Sequence, residues 1–194
     1  MKRDKKCRLS SYYYDGSILQ RRRHMKKRRL TAIVFGIMAV AWAGLLFFFS
    51  GQSGADSSSL SREVARMIAR WFPGLGMGPA DIEPGLRKLA HFGIFAVEGF
   101  FAGTALTCAL GYAKGAALSV GTCVLMAVAN EFHQRFSVGR SCEFRDMLID
   151  SGGALLGVAA ALLSVMIAEN IIRKKSRRAY VTVNLNEYRT GENK

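Results

Sequence analysis

The stretch from Leu30 to Ser50 contains 21 residues without a charged side chain. At a rise of 1.5 Å per residue, a helix of this length crosses the roughly 30 Å hydrocarbon core of a bilayer. Three more apolar stretches follow at residues 89–112, 115–136 and 147–168. Because lipid-exposed backbone must satisfy its own hydrogen bonds, such stretches span membranes as helices. We therefore predict an all-α membrane protein, a four-transmembrane-helix bundle at residues 30–168.

The basic residues lie beside these apolar stretches. The 194-residue chain is half apolar, yet its formal net charge is +14. Residues 1–29 hold twelve Lys or Arg, and residues 169–194 hold a second basic cluster. We interpret both segments as disordered tails attracted to anionic headgroups, although the alternation at 180–185 is also compatible with a weak strand. No nucleic-acid-binding module accompanies the charge, so nucleic acid is not an expected partner.

The same charges predict the orientation. Lys and Arg accumulate on the cytoplasmic side of membrane proteins, and both tails are strongly basic. The segment at 51–88 has five basic and four acidic residues. This bias favours an N-in/C-in arrangement with 51–88 outside. The first apolar stretch exceeds a usual signal-peptide core and has no clear small-residue cleavage site, so we expect an uncleaved anchor.

An amphipathic helix is predicted at residues 58–72, within the outer segment. Its apolar side chains recur at helical spacing, with Arg62, Glu63, Arg66 and Arg70 on the other side. Pro73 and Gly74 would end it. The pattern is typical of a helix lying in the membrane interface, and equally of one packed over the outer end of the bundle.

Ionisable and amide side chains of the last three spans converge at the outer end in this topology. Spans two and four start there and span three ends there. Charges at membrane depth are costly and normally face a bundle interior, water or a partner. We therefore predict a polar pocket open to the outer leaflet, unless these groups only pair with one another and fix helix packing. His133 is expected to point elsewhere. The candidate ligand-binding residues are Lys88, His91, Glu98, Glu131, Gln134, Arg140, Asp146 and Asp150.

No established metal or cofactor motif occurs in the chain, and no cofactor is expected. The four cysteines form no CxxC pair, and Cys108 and Cys123 are expected to be small buried apolar residues. A metal held by imidazole and carboxylate groups is conceivable from residue chemistry. The residues for such a site are His91, Glu98, Glu131 and Asp146. In span four, Gly153-x-x-x-Gly157 would permit close helix approach.

Three segments carry a family resemblance: residues 49–54, residues 88–95 with Glu98, and residues 130–136 followed by Gly139, Arg140, Asp146 and Asp150. With these segments the chain resembles the VanZ-like membrane proteins, named for a member linked to teicoplanin resistance. The family usually has an acid where Asn130 stands and often a Tyr where Phe95 stands. The resemblance implies site roles for Glu131, Gln134, Arg140 and Asp146, which we combine with Lys88 and His91.

The resemblance implies a bacterial cell membrane and a role in envelope integrity or glycopeptide susceptibility. From the residues, the first functional hypothesis is binding of an anionic lipid or a lipid-linked cell-wall intermediate, with Arg140 and Lys88 gripping phosphate. The second is an intramembrane enzyme in which His91 acts as general acid or base on a lipid-linked phosphate or sugar. The third is a membrane scaffold in which the polar network only holds the bundle.

Overall fold

The computed structural model describes residues 2–51, 54–136 and 143–191, and within them the side chains of 22–51, 59, 61–74, 76–136 and 143–175. The described residues form helices and no strand. The helices are α1 (Lys2–Ser50), α2 (Gly54–Trp71), α3 (Pro79–Leu110), α4 (Tyr112–Gln134) and α5 (Phe144–Gly191), with a 3-10 turn (Pro73–Leu75) between α2 and α3. Of these, α1, α3, α4 and α5 are long and apolar enough to cross a membrane. The prediction of an all-α, four-span protein is confirmed.

Both tails differ from the predicted disorder. The first helix begins at Lys2 and the last runs to Gly191, so the alternation at 180–185 is helical. Lys, Arg and Leu favour helix, and a span that is already helical removes the cost of nucleating a new one. The second span also begins earlier than expected, at Pro79 rather than Leu89.

The amphipathic helix is confirmed as α2, and it ends at Trp71, just before Pro73. It packs against α3, and Ala65 on its inner side is fully buried. Met67, Trp71 and Phe72 remain exposed. The helix α2 therefore packs on the bundle through the small side chain of Ala65, and its large apolar side chains point away from the bundle. Its depth in the membrane interface stays a prediction.

The central helix of the bundle is α3, which packs against all four other α-helices and most extensively against α5. The buried core is built largely from small side chains, with Phe95 as the largest residue fully enclosed. Cys108 and Cys123 are buried free thiols, as expected. Large apolar side chains such as Val40, Leu125 and Leu163 lie on the outside, as expected of a lipid-facing surface.

Glycines set the distance between α3 and α5. A Cβ atom built on Gly153 would overlap the Phe92 carbonyl, and one on Gly157 would overlap the Ala96 carbonyl. The contact is reciprocal, because a Cβ on Gly99 of α3 would overlap the Ala154 carbonyl. The two backbones therefore touch, which only glycine permits at these positions. The weak sequence signal of the Gly153–Gly157 pair marks a real helix contact.

A single residue, Gly111, joins α3 to α4. Its φ of 86° is a left-handed value that other residues rarely adopt. Its N–H donates to the Thr107 carbonyl (3.0 Å), and its own carbonyl accepts from the Gly115 N–H (2.9 Å). The two helices therefore leave the joint as a tight antiparallel pair.

A tail-end clamp, formed by Arg28, Tyr112 and Glu169, ties α1, α4 and α5 together near this joint. The Arg28 guanidinium lies 3.3 Å from a Glu169 carboxylate oxygen and donates to the Thr107 carbonyl of α3 (2.8 Å). The Tyr112 hydroxyl donates to the other Glu169 oxygen (3.1 Å). Arg28 and Glu169, which the sequence placed in the two tails, thus hold the ends of all four spans.

Candidate functional site

The opposite end of the bundle carries two facing stripes of polar residues. On α3, Lys88, His91 and Glu98 share one helix face. On α5, Asp146 and Asp150 share the face that continues into the glycine contact. Because the α3 and α5 backbones touch at that contact, the two polar stripes meet across it. The close packing of α3 and α5 therefore positions the site.

Two ion pairs result from this register. The Lys88 Nζ lies 3.4 Å from Asp146 Oδ1, and the His91 Nδ1 lies 3.7 Å from Asp150 Oδ1. The outer parts of the pairs are accessible, with the Lys88 and His91 side chains 36% and 25% exposed, while Asp150 is fully enclosed. The site therefore has a cationic rim and a buried acidic floor.

The end of α4 completes the floor with Asn130, Glu131 and Gln134, all of which are buried. The Glu131 Oε2 accepts a hydrogen bond from the Glu143 main-chain N–H (3.2 Å), which ties the end of α4 to the start of α5. Glu131 lies within electrostatic reach of His91, Asp146 and Asp150. The Asn130 amide approaches Asp150, but neither residue makes a side-chain hydrogen bond within the described part of the chain.

The predicted site residues are thus brought together in part. We call the assembled group the polar site, and it consists of Lys88, His91, Asn130, Glu131, Gln134, Asp146 and Asp150. Glu98 is buried but lies deeper, beyond Phe95 and close to Cys123. Arg140 lies outside the described residues. His133 instead packs its ring against Phe47 of α1, with centroids 5.9 Å apart.

Asn130 was not among the site residues predicted from the sequence, although it lies among the polar residues at the end of span three. Its position one residue before Glu131 and four before Gln134 puts it on the same buried side of α4, a signal that could have included it. The Glu143 main-chain contact could not be found this way, because it depends on how the chain returns to α5.

Several buried atoms of the polar site have no hydrogen-bond partner among the described residues. They are Asp150 Oδ2, both Asn130 amide atoms, Glu131 Oε1 and Gln134 Nε2, whereas Asp146 Oδ1 and Asp150 Oδ1 face only their ion-pair partners Lys88 and His91. An unpaired buried polar group costs about 1–3 kcal/mol, and native proteins pair nearly all of them with protein, water or ligand. A group of unpaired buried polar atoms at one place is suited to binding a polar ligand.

The carboxylates of the polar site were also considered conceivable metal ligands from the sequence. Within the described ranges, no three His, Cys, Asp or Glu side chains are grouped closely enough to hold a metal ion. The four metal ligands considered from the sequence do not lie together. Glu98 lies beyond Phe95, whereas His91, Glu131 and Asp146 lie at the rim and floor of the polar site.

Residues 35–167 match the model of the VanZ/LLP1 family. This range includes the whole of α3 and α4, parts of α1 and α5, and the whole polar site. Neither the curated proteins nor the solved structures gave a match. The matched range is more than half of the 194 residues, and the chain therefore belongs to the VanZ/LLP1 family.

Proposed function

We propose that the polar site binds the headgroup of an envelope lipid or of a lipid-linked envelope component, at the outer leaflet of a bacterial cytoplasmic membrane. The observation that carries this proposal is the set of buried, unpaired polar atoms beneath the Lys88–Asp146 and His91–Asp150 pairs. A network with only a packing role would be expected to satisfy its own members.

An amphiphilic ligand suits the surroundings of the polar site. Phe132, Phe136 and Phe144 flank it on the ends of α4 and α5, and all three are exposed. The rings of Phe132 and Phe136 pack edge to face, with centroids 5.4 Å apart. Aromatic side chains concentrate at the level of lipid headgroups. A headgroup in the polar site would therefore lie at the level of this aromatic surface.

The rim supplies the contacts for a phosphate group. Lys88 presents a partly exposed side chain there, and Arg145 near the start of α5 has an exposed side chain. Lys acts on phosphate as a point charge with three donors, and Arg as a bidentate partner. Arg140, which lies between α4 and α5 in the sequence and outside the described residues, is a further candidate for the same role.

We predict that Lys88→Gln reduces retention of anionic or zwitterionic envelope lipid about tenfold, since a charge-assisted hydrogen bond is worth about 1.5–3 kcal/mol. Native mass spectrometry of protein extracted with its own lipids measures this. Lys114→Gln is the matched control, because Lys114 is an exposed lysine at the other end of α4. Equal lipid retention by both variants and wild type would favour the scaffold role instead.

The proposal requires the polar site to face outward, with both chain ends inside. The basic residues around Arg28 and Arg173 support this orientation through the positive-inside bias. Single cysteines introduced at Phe144 and at Lys175, in a variant with its native cysteines replaced, should label differently in intact cells. An impermeant thiol reagent should label position 144 and leave position 175 unmodified. The reverse pattern would place the polar site on the cytoplasmic side and contradict the proposal.

A consequence in the cell follows if the ligand belongs to the cell-wall pathway. We propose that the protein then alters susceptibility to glycopeptides such as teicoplanin, and that Lys88→Gln removes the effect while Lys114→Gln retains it. Growth inhibition of a bacterial host expressing each variant at matched membrane levels tests this.

The His91–Asp150 pair favours a second candidate, an acid–base enzyme acting on a lipid-linked phosphate or sugar. A buried carboxylate that orients a partly exposed imidazole is an arrangement used in general acid–base catalysis. Turnover of such a lipid by purified wild type, lost in His91→Gln with lipid retention intact, would establish this candidate over simple binding.

A further inference from the structure

We propose that the floor of the polar site takes a primary ammonium group, so that the bound headgroup is zwitterionic, with its phosphate at the Lys88 rim. This inference rests on the proposed function and names the ligand class of the same site. The juxtaposition that carries it is the Asp150 carboxylate, the free oxygen of Glu131 and the Asn130 carbonyl oxygen, all buried beneath the rim.

The balance of charge is the first argument. Around the two ion pairs the described residues supply three carboxyl groups, from Glu131, Asp146 and Asp150, against Lys88, His91 and the exposed Arg145 of the rim. Lys88 is matched by Asp146, and His91 is charged only when protonated. A purely anionic headgroup inserted to the floor would add charge of the same sign to two buried carboxyl groups. A cationic group placed there compensates them.

The balance of hydrogen bonding is the second and independent argument. On the floor, the unpaired acceptors are Asp150 Oδ2, Glu131 Oε1 and Asn130 Oδ1, whereas the unpaired donors are the amide nitrogens of Asn130 and Gln134. The three oxygens offer about six lone-pair sites, against four N–H donors on the two amides, so the floor can accept more hydrogen bonds than it can donate. A primary ammonium carries three donors and no acceptor, which is the chemistry that such a floor lacks.

A quaternary ammonium fits less well. It has no N–H donor and is normally recognised by the faces of several aromatic rings. Within the described side chains, Phe95 is the only aromatic residue that is buried. The carboxylates of the floor can attract a trimethylated nitrogen, but their hydrogen-bond acceptors would stay unpaired. The site should therefore bind a primary ammonium headgroup more tightly than a quaternary one.

Three lipids with identical acyl chains form the test: phosphatidylethanolamine, its N-acetyl derivative and phosphatidylcholine. Acetylation removes the positive charge and leaves the phosphate, while trimethylation keeps the charge and removes the donors. The full-length protein is delipidated in detergent and titrated with each lipid in native mass spectrometry. We expect phosphatidylethanolamine to be retained about tenfold more strongly than either analogue.

Two variants assign the discrimination to the floor. Asp150→Asn and Glu131→Gln should each reduce the preference for phosphatidylethanolamine, while binding of the N-acetyl derivative is kept. Glu63→Gln is the control, because Glu63 is an exposed acid of α2 paired with Arg66. Thermal unfolding identifies any variant that fails to fold, and since the two acids lie on different helices, either one suffices for the assignment.

The outcomes separate the two proposals. Equal retention of all three lipids by wild type, with loss in Lys88→Gln, would overturn the ammonium inference and leave headgroup binding in place. Tighter binding of the N-acetyl derivative would overturn it in the same way. If wild type retains none of the three lipids, nor any lipid from its own membrane, headgroup binding itself is overturned.

Discussion

Gly153→Ala should destabilise the protein by about 3 kcal/mol or more, since overpacking a close contact costs about 1–3 kcal/mol and backbone has little room to move. The new methyl group would meet the Phe92 carbonyl, which belongs to the α3 backbone and not to a flexible side chain. The helices must separate to admit it. Thermal unfolding in detergent micelles measures the loss.

The neighbouring glycine provides the control. A Cβ on Gly152 would meet only the Phe92 ring, at an ordinary 3.6 Å. Alanine favours helix over glycine by about 1 kcal/mol, so Gly152→Ala should be neutral or stabilising. Similar unfolding temperatures for the two variants would contradict the close contact between α3 and α5.

The same change should also impair the polar site. Asp150 lies three residues before Gly153 on α5, so moving this helix away from α3 increases the distance between Asp150 and His91. We therefore expect Gly153→Ala to lose lipid retention together with stability, whereas Gly152→Ala keeps both. A variant that loses stability and retains lipid fully would show that the site does not depend on this helix register.

Glu169→Gln should cost about 2 kcal/mol, which is less than the 3–5 kcal/mol for breaking a fully buried pair, because the Arg28 side chain is 30% exposed. The substitution removes the charge that holds Arg28 and keeps an oxygen to accept the Tyr112 hydrogen bond. Glu169→Ala should cost more, because Tyr112 then loses its acceptor as well. Thermal unfolding of the purified protein again gives the ranking.

Two ion pairs with an exposed cation calibrate this result. Glu63 pairs with Arg66 on the surface of α2, and Arg173, with a side chain that is 73% exposed, reaches the buried Glu169 at 3.8 Å. An exposed charge contributes about 0–1 kcal/mol to such a pair, so Glu63→Gln and Arg173→Gln should change stability little. If Glu169→Gln proves as mild as these two, the tail-end clamp does not hold the bundle.

The spans could be predicted from the sequence because absence of charge over some twenty residues is a local property. The polar stripes were predictable for the same reason, since Lys88 and His91 on α3, and Asp146 and Asp150 on α5, follow the helix period. Their pairing was not predictable. It depends on how far α3 is shifted along α5, and the glycine contacts determine this shift. The spacing of residues within one helix does not contain that information.

The tail-end clamp is a second feature that could not be predicted from the sequence. Arg28 and Glu169 are 141 positions apart, and each is one charge among many beside an apolar stretch. The sequence beside an apolar span looks the same whether a basic residue there orients the chain in the membrane or binds a carboxylate. Only the assembled bundle distinguishes these roles, because Arg28 reaches Thr107 and Glu169 while its neighbours Lys27 and Arg29 are exposed.

The length of α1 divides its basic residues into two groups. A helix of 49 residues measures about 74 Å, against a hydrocarbon core of about 30 Å. Electrostatic attraction in physiological salt decays over about 8 Å. Lys26, Lys27 and Arg29 therefore lie close enough to the end of the span to be attracted by headgroups. The backbone at the start of α1 lies several screening lengths farther away, where a charge would feel little attraction to the bilayer.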